Sequence, residues 1–125
     1  MTVRSASILL LAVLAVGCSK RDPLHSHGQP VSYWVQALQE PDVPKRKKAV
    51  VALGHVGTAD PAAMPALIAA LKDADAGVRA EAVLALLNLG PEAKEAIPAL
   101  TDAQNDPDPT VRDYAKRAVG RIQAH

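Results

Sequence analysis

The chain has 125 residues and a nearly balanced charge, with 14 Lys and Arg against 13 Asp and Glu and a formal net charge of +1. Nucleic-acid-binding domains usually carry a basic stripe, so this balance and an aromatic content of 2% argue against nucleic acid as a partner. A single cysteine rules out a disulfide within one chain.

Residues 1–17 have the pattern of an export signal. A positive start is followed by an uncharged apolar run over residues 8–16, and then by Gly17 and Cys18. A helix that spans a bilayer needs about 20 apolar residues, so this run is too short to cross one. The segment 14–18 resembles a bacterial lipobox, which implies that Cys18 is acylated and becomes the mature N-terminus. Ordinary secretion is the alternative.

The lipobox resemblance implies a location in the cell envelope, with a palmitate-type acyl anchor in the membrane. Each buried methylene adds about 0.8 kcal/mol, so a multiply acylated Cys18 would anchor durably. In Gram-negative lipoproteins an aspartate after the cysteine is the usual signal for inner-membrane retention. Ser19 stands there instead, which favours the outer membrane.

After Cys18, the segment up to residue 30 is polar, contains two prolines and a glycine, and lacks apolar periodicity. This composition predicts a flexible tether. His25 and His27 supply two of the four ligands of a typical tetrahedral metal site. We therefore expect no metal site and no cofactor.

The remaining residues, 31–125, contain a repeat of 33 residues without an insertion, in units of about 31–57, 58–90 and 91–125. A fixed period of this size indicates stacked helical repeats that bury their apolar faces against one another. The recurring positions are Asp42, Asp75 and Asp108; Arg46, Arg79 and Arg112; Ala49, Ala82 and Ala115; and Ala52, Ala85 and Ala118.

Each unit is predicted to contain a first helix A, a turn that ends in an aspartate able to cap the next helix, and a second helix B. Serine caps helices well and proline is tolerated in a first turn, which places the starts of helix A near Ser32, Pro65 and Pro98. The apolar i, i+3, i+4, i+7 pattern predicts helix B over about Val43–Val56, Ala76–Leu89 and Pro109–Ile122. We expect an all-α solenoid of three hairpins, about six helices and no strand.

Polar residues replace apolar ones in the outer units. Lys45 stands where Val78 and Val111 stand in the other units, and Gln104 stands where Leu38 and Leu71 stand. Terminal repeats need polar outer faces for solubility, so these changes predict an array of three hairpins.

The run from residue 70 to residue 90 resembles a HEAT repeat, more narrowly the short HEAT-like type first associated with phycobilisome lyases. The marks are Asp75 before helix B, the Val78-Arg79 pair, the alanine columns and the closing Leu-Gly. The Thr-Pro-Leu-His signature of ankyrin repeats is absent from the sequence. The resemblance extends over residues 31–123 and implies a fold rather than an activity.

The aspartate and arginine series forms a predicted structural ladder, composed of Asp42, Arg46, Asp75, Arg79, Asp108 and Arg112. The residues of each pair are four apart at a helix start, which lets them pair or lets each arginine reach an aspartate of the next unit. No serine, cysteine or histidine constellation for nucleophilic attack, no HExxH motif and no phosphate loop is present in the sequence, so we expect no enzyme activity.

The outward positions of the B helices form the predicted partner-binding face, because HEAT arrays place these helices on their concave side. Exposed apolar side chains there would mark a contact site. The candidate residues are Lys48, Val51, His55, Glu81, Leu84, Asn88, Tyr114, Arg117 and Arg121.

The sequence thus predicts a membrane-tethered scaffold that binds another protein of the bacterial cell envelope. Two alternatives remain at this point. Some HEAT-like proteins resemble bilin lyases or their partners, which would make the chain an accessory subunit of a lyase-like enzyme. The array could also serve purely as an envelope spacer.

Overall fold

The computed structural model describes residues 25–124, which form six α-helices in three successive repeats. The predicted all-α solenoid is confirmed. The export signal, Cys18 and the first part of the predicted tether lie outside the described residues. The A helices are α1 (Val31–Ala37), α3 (Ala63–Ala70) and α5 (Ile97–Ala103), and the B helices are α2 (Val43–Val56), α4 (Ala76–Leu89) and α6 (Pro109–Gln123).

A small β-hairpin precedes the helices and corrects the expectation of no strand. Strands β1 (His25–Ser26) and β2 (Gln29–Pro30) pair antiparallel. The two residues between them have positive φ, 53° at His27 and 77° at Gly28. A two-residue turn with positive φ at both positions matches the twist of paired strands, which explains why the end of the predicted tether adopts this form.

The aspartate before each B helix caps that helix. The carboxylate of Asp42 accepts from the backbone N–H of Lys45 at 3.3 Å, and that of Asp75 accepts from Val78 at 3.0 Å. Asp108 accepts from two backbone N–H groups, at 2.9 and 3.0 Å. Because the caps fix the starts, the observed B helices begin where the pattern predicted, and only α6 extends one residue further.

Glycines end the first two B helices. Gly57 and Gly90 have φ of 56° and 59°, which favours glycine because it lacks a Cβ. A 3₁₀ helix follows each of them, Gly57–Ala59 and Gly90–Ala96. These turns carry the chain toward the next A helix, and all three A helices begin one or two residues earlier than predicted.

The core lies between the A and B layers. The predicted inward stripe of the B helices consists of Ala49, Ala52, Leu53 and Val56 and their equivalents in the later repeats. It is buried or half-buried throughout, and its alanines are fully buried except for the half-buried Ala85. Val50 and Val83 are also fully buried, although the predicted stripe omitted them. Their counterpart in the third repeat is the exposed Lys116, so this column contacts the following repeat.

Consecutive B helices pack together much more extensively than consecutive A helices. Small residues permit the close approach, since a Cβ built on Gly54 would lie only 3.0 Å from the Cβ of Ala85. The B helices therefore form the more tightly packed of the two layers. In residues 25–124, no helix is long and apolar enough to cross a membrane.

Candidate interaction surface and arginine ladder

Two partly buried ion pairs connect successive repeats. Nε and Nη2 of Arg46 donate to the two carboxylate oxygens of Asp73 at 3.0 and 3.2 Å. Arg79 makes the same fork with Asp106, at 2.9 and 3.0 Å. Planar, two-bonded pairs of this kind are among the stronger side-chain hydrogen bonds. Each arginine thus joins its own B helix to the turn of the next repeat.

The third nitrogen of each arginine binds its own turn. Nη1 of Arg46 donates to the carbonyls of residues 40 and 41, at 2.9 and 3.0 Å. Nη1 of Arg79 makes the equivalent pair at 2.8 and 3.1 Å, and Nη1 of Arg112 makes it at 2.8 and 3.0 Å. These bonds fix Nη1 in the same way in all three arginines, and the Nε–Nη2 edges of Arg46 and Arg79 meet the following repeat.

The carboxylates that accept from the arginines are Asp73 and Asp106, which the predicted ladder did not include. The predicted aspartates Asp42, Asp75 and Asp108 serve as helix caps instead. A sequence signal for the missed residues exists, because Asp73 and Asp106 also stand 33 positions apart. The prediction selected the capping aspartates because an aspartate recurs at that position in all three units.

The Arg79–Asp106 pair, which joins the second repeat to the third, stabilises the charged state of both side chains. Burial raises the pKa of the Asp106 carboxyl, but the hydrogen bonds from Arg79 and from the backbone of Asp108 outweigh it, together with the nearby charges of Arg79 and Arg112. The pKa of Asp106 is therefore below its usual value. The pKa of Arg79 is raised, chiefly by its hydrogen bond to Asp106.

A shallow groove runs between the outward faces of α2 and α4. Its volume is about 220 Å³, and Val51 beside it is 37% exposed. Leu84 lies on the opposite wall and is half-buried. The lining residues are Val51, Gly54, His55, Glu81, Leu84, Ala85 and Asn88.

The groove brings together five of the nine predicted partner-binding residues, and the other four lie elsewhere. Lys48 lies against the ring of Trp34, with its Nζ 5.9 Å from the ring centroid. On α6, Arg117 pairs with Asp113 at 3.0 Å in an exposed position. Tyr114 is half-buried and Arg121 is exposed on the same helix. The predicted face therefore consists of a compact groove and two flanking regions.

An aromatic cluster closes the first end of the array. The indole N–H of Trp34 donates to the carbonyl of Ser26 at 2.8 Å, and Tyr33 packs edge-on against the same indole. Nε2 of His27 lies 3.2 Å from Nδ1 of His55, so one imidazole donates to the other. The sequence did not reveal this contact, because it joins two residues 28 positions apart through a turn that was interpreted as flexible.

Within residues 25–124, no three His, Cys, Asp or Glu side chains cluster in a way that could hold a metal ion. The buried side-chain nitrogen and oxygen atoms in that part of the chain all have hydrogen-bond partners.

The family model of HEAT repeats matches residues 31–122. The chain belongs to the HEAT-repeat family. Proteins of this family are typically scaffolds without catalytic activity, and the HEAT array here offers a surface for protein interaction.

Among solved structures, the chain is similar to the crystal structure of an engineered protein, with 26% sequence identity and a TM-score of 0.56. The match covers 75% of this chain and 45% of the engineered chain. The chain thus corresponds to about half of that protein's length. No curated protein gives a significant match.

Proposed function

We propose that this protein is a membrane-tethered HEAT-repeat scaffold that binds another protein of the bacterial cell envelope through the groove between α2 and α4. The observation that carries the proposal is the position of Val51 and Leu84 on the two walls of this groove, on the side of the B helices that faces away from the core. Solvent alone would favour polar side chains at both sites, and apolar side chains grouped on a surface often mark contacts.

The chemistry of the groove favours an apolar anchor from the partner. Two aliphatic side chains form opposite walls, while His55, Glu81 and Asn88 supply polar groups at the margin. An apolar center with a polar rim is the usual anatomy of a protein interface. A partner that inserts one or two apolar side chains between the helices fits this surface.

The tethering part of the proposal comes from the sequence before the described residues. The apolar run that ends in Gly17 and Cys18 supports lipid attachment, and the β-hairpin begins seven residues after Cys18. A mature protein with acyl mass on Cys18, recovered from the membrane fraction, is the expected result of intact-mass analysis. A soluble, unmodified chain would remove the membrane from the proposal and leave the groove as it is.

The groove is tested by introducing a photoreactive amino acid at Val51 or Leu84 and irradiating intact cells. We expect a discrete crosslinked partner at these positions. The matched control is Ala69, an exposed alanine on α3 outside the groove. Crosslinks of the same species from Ala69 would show that the groove has no special role.

Introducing a charge into the groove gives a second test. Leu84→Glu should abolish partner capture and leave helicity and melting nearly unchanged, because the side chain is only half-buried. Ala69→Glu should leave capture intact. Undiminished capture by the Leu84→Glu variant would exclude the groove, and it would favour a spacer role for the array.

A further inference from the structure

Within residues 25–124, the Nε–Nη2 edge of the third arginine of the ladder, Arg112, holds no carboxylate. In the first two repeats, the guanidinium edge formed by Nε and Nη2 holds a carboxylate of the next repeat, with all four N···O distances between 2.9 and 3.2 Å. The remaining nitrogen, Nη1, is fixed by two carbonyls in every repeat. The two carbonyls therefore orient the Nε–Nη2 edge of each arginine whether or not a carboxylate is bound to that edge.

Arg112 has the same internal bonds, with its Nη1 donating to the carbonyls of Asp106 at 2.8 Å and Pro107 at 3.0 Å. Among residues 25–124, no side chain accepts from its Nε–Nη2 edge, and the ion pairs there are Arg46–Asp73, Arg79–Asp106 and Arg117–Asp113. The Arg112 side chain is thus prepared for a carboxylate in the geometry that its two equivalents already use.

The charge around Arg112 indicates what kind of occupant fits. The column that holds the fully buried Val50 and Val83 in the earlier repeats ends in the exposed Lys116. A lysine there disfavours the apolar stacking of a further repeat and adds a second positive charge to the face. We call this surface, made by Arg112 and Lys116, the basic end face.

A second copy of this chain fits the basic end face poorly. Its first repeat would have to present Glu40, the counterpart of Asp73, to Arg112. The same end of the first repeat exposes Lys45 and Lys48, which would approach Lys116 and Arg112. Like charges placed against each other disfavour such an interface.

We propose that the basic end face binds an acidic segment of a partner protein, with one aspartate or glutamate carboxylate accepting two hydrogen bonds from Nε and Nη2 of Arg112. Lys116 supports the contact by its charge. This surface lies apart from the groove between α2 and α4 and does not depend on it. Loss of partner capture in the Leu84→Glu variant leaves the prediction for Arg112 unchanged.

The test is an NMR titration of the ¹⁵N-labelled full chain, followed through the arginine Nε–Hε resonances. The probe is a capped peptide that copies residues 104–110, the turn that presents Asp106 to Arg79. We expect a saturable shift of the Arg112 resonance, while the resonances of Arg46 and Arg79 stay in place because their edges are occupied. A control peptide with asparagine in place of both aspartates should produce no shift.

Substitutions distinguish two-bonded binding by the Arg112 guanidinium group from attraction by its positive charge alone. Arg112→Lys keeps the charge and loses the two-bonded geometry, so peptide binding should weaken about tenfold. Arg117→Lys, in an exposed helix pair, should bind as the wild type does. If Arg112→Lys folds poorly, the titration of the wild-type chain with the two peptides still tests the proposal.

Three results would overturn the proposal. One is an Arg112 resonance that does not move, or that moves equally with the asparagine peptide. Another is saturation by inorganic phosphate without any response to the aspartate peptide, which would assign the face to phosphate groups. The third is dimerisation in sedimentation velocity that Glu40→Gln abolishes, which would assign the face to a second copy.

Discussion

Arg79 on α4 and Asp106 in the turn before α6 form a two-bonded ion pair that joins the second repeat to the third, with N···O distances of 2.9 and 3.0 Å. The Asp106 side chain is 9% exposed, and the carboxylate also accepts from the backbone N–H of Asp108 at 2.9 Å. One carboxylate thus orders its own turn and fastens the neighbouring helix.

Replacing Asp106 with asparagine should destabilise the protein by about 2 kcal/mol, because the partly buried Arg79 then loses its hydrogen bonds to a charged partner. Urea unfolding followed by circular dichroism measures the change. The exposed Asp102, on α5, provides a matched control, and Asp102→Asn should change stability by less than about 0.5 kcal/mol. Equal effects at the two positions would contradict a structural role for the pair.

The Arg79–Asp106 pair also makes the free energy of unfolding depend on pH in the acidic range. The pKa of Asp106 is lowered in the folded chain, so its ionisation stabilises the fold above the ordinary aspartate pKa of about 3.9. This contribution is lost as the pH falls through the lower folded pKa. The difference in unfolding free energy between wild type and Asp106→Asn should therefore shrink progressively below about pH 4. A difference that is constant with pH would be inconsistent with this linkage.

Gly54 and Gly120 occupy the same column of α2 and α6 but have different surroundings. A Cβ on Gly54 would lie 3.0 Å from the Cβ of Ala85, whereas one on Gly120 would meet nothing within 4 Å. Gly54→Val should therefore destabilise the array by about 1 to 3 kcal/mol through overpacking. Gly120→Ala should stabilise it by up to about 1 kcal/mol through helix propensity. Thermal melting distinguishes the two signs.

The β-hairpin can be followed through Trp34, the single tryptophan of the chain, which is 4% exposed. Gly28 has a φ of 77°, so Gly28→Val should strain the turn and release the hairpin from the indole. We expect a red shift of the tryptophan emission at unchanged helix content. Gly28→Asn, which tolerates positive φ better, should retain most of the native emission. An unshifted spectrum in the valine variant would show that the hairpin does not cover Trp34.

The B helices could be predicted almost residue by residue, because a capping aspartate and an apolar stripe recur in all three units and a closing glycine recurs in the first two. The β-hairpin could not, since its strands are two residues long and carry no alternation of apolar side chains. Its form depends on the turn at His27 and Gly28, and on Trp34, whose indole reaches back to the carbonyl of Ser26.

Part of the candidate site was also accessible from the sequence. Val51 and Leu84 stand on the outward side of the helical pattern, and the structure places them on one groove. The partners of the arginines were missed because the second and third turns each contain two aspartates that repeat with the same period. Periodicity alone cannot distinguish the one that caps a helix from the one that faces the previous repeat.

The β-hairpin gives the array a direction. In the second repeat, Ala85 lies against Gly54 of the preceding repeat. The first described repeat has no such neighbour among residues 25–124, yet its equivalent residue, Ala52, is fully buried. At this end of the described array, β1 packs on α2. A designer who wished to lengthen the solenoid would leave that end alone, replace Lys116 with valine and append a new hairpin whose turn offers an aspartate to Arg112. The described array thus has one end covered by the β-hairpin and one end on which a further repeat can be stacked.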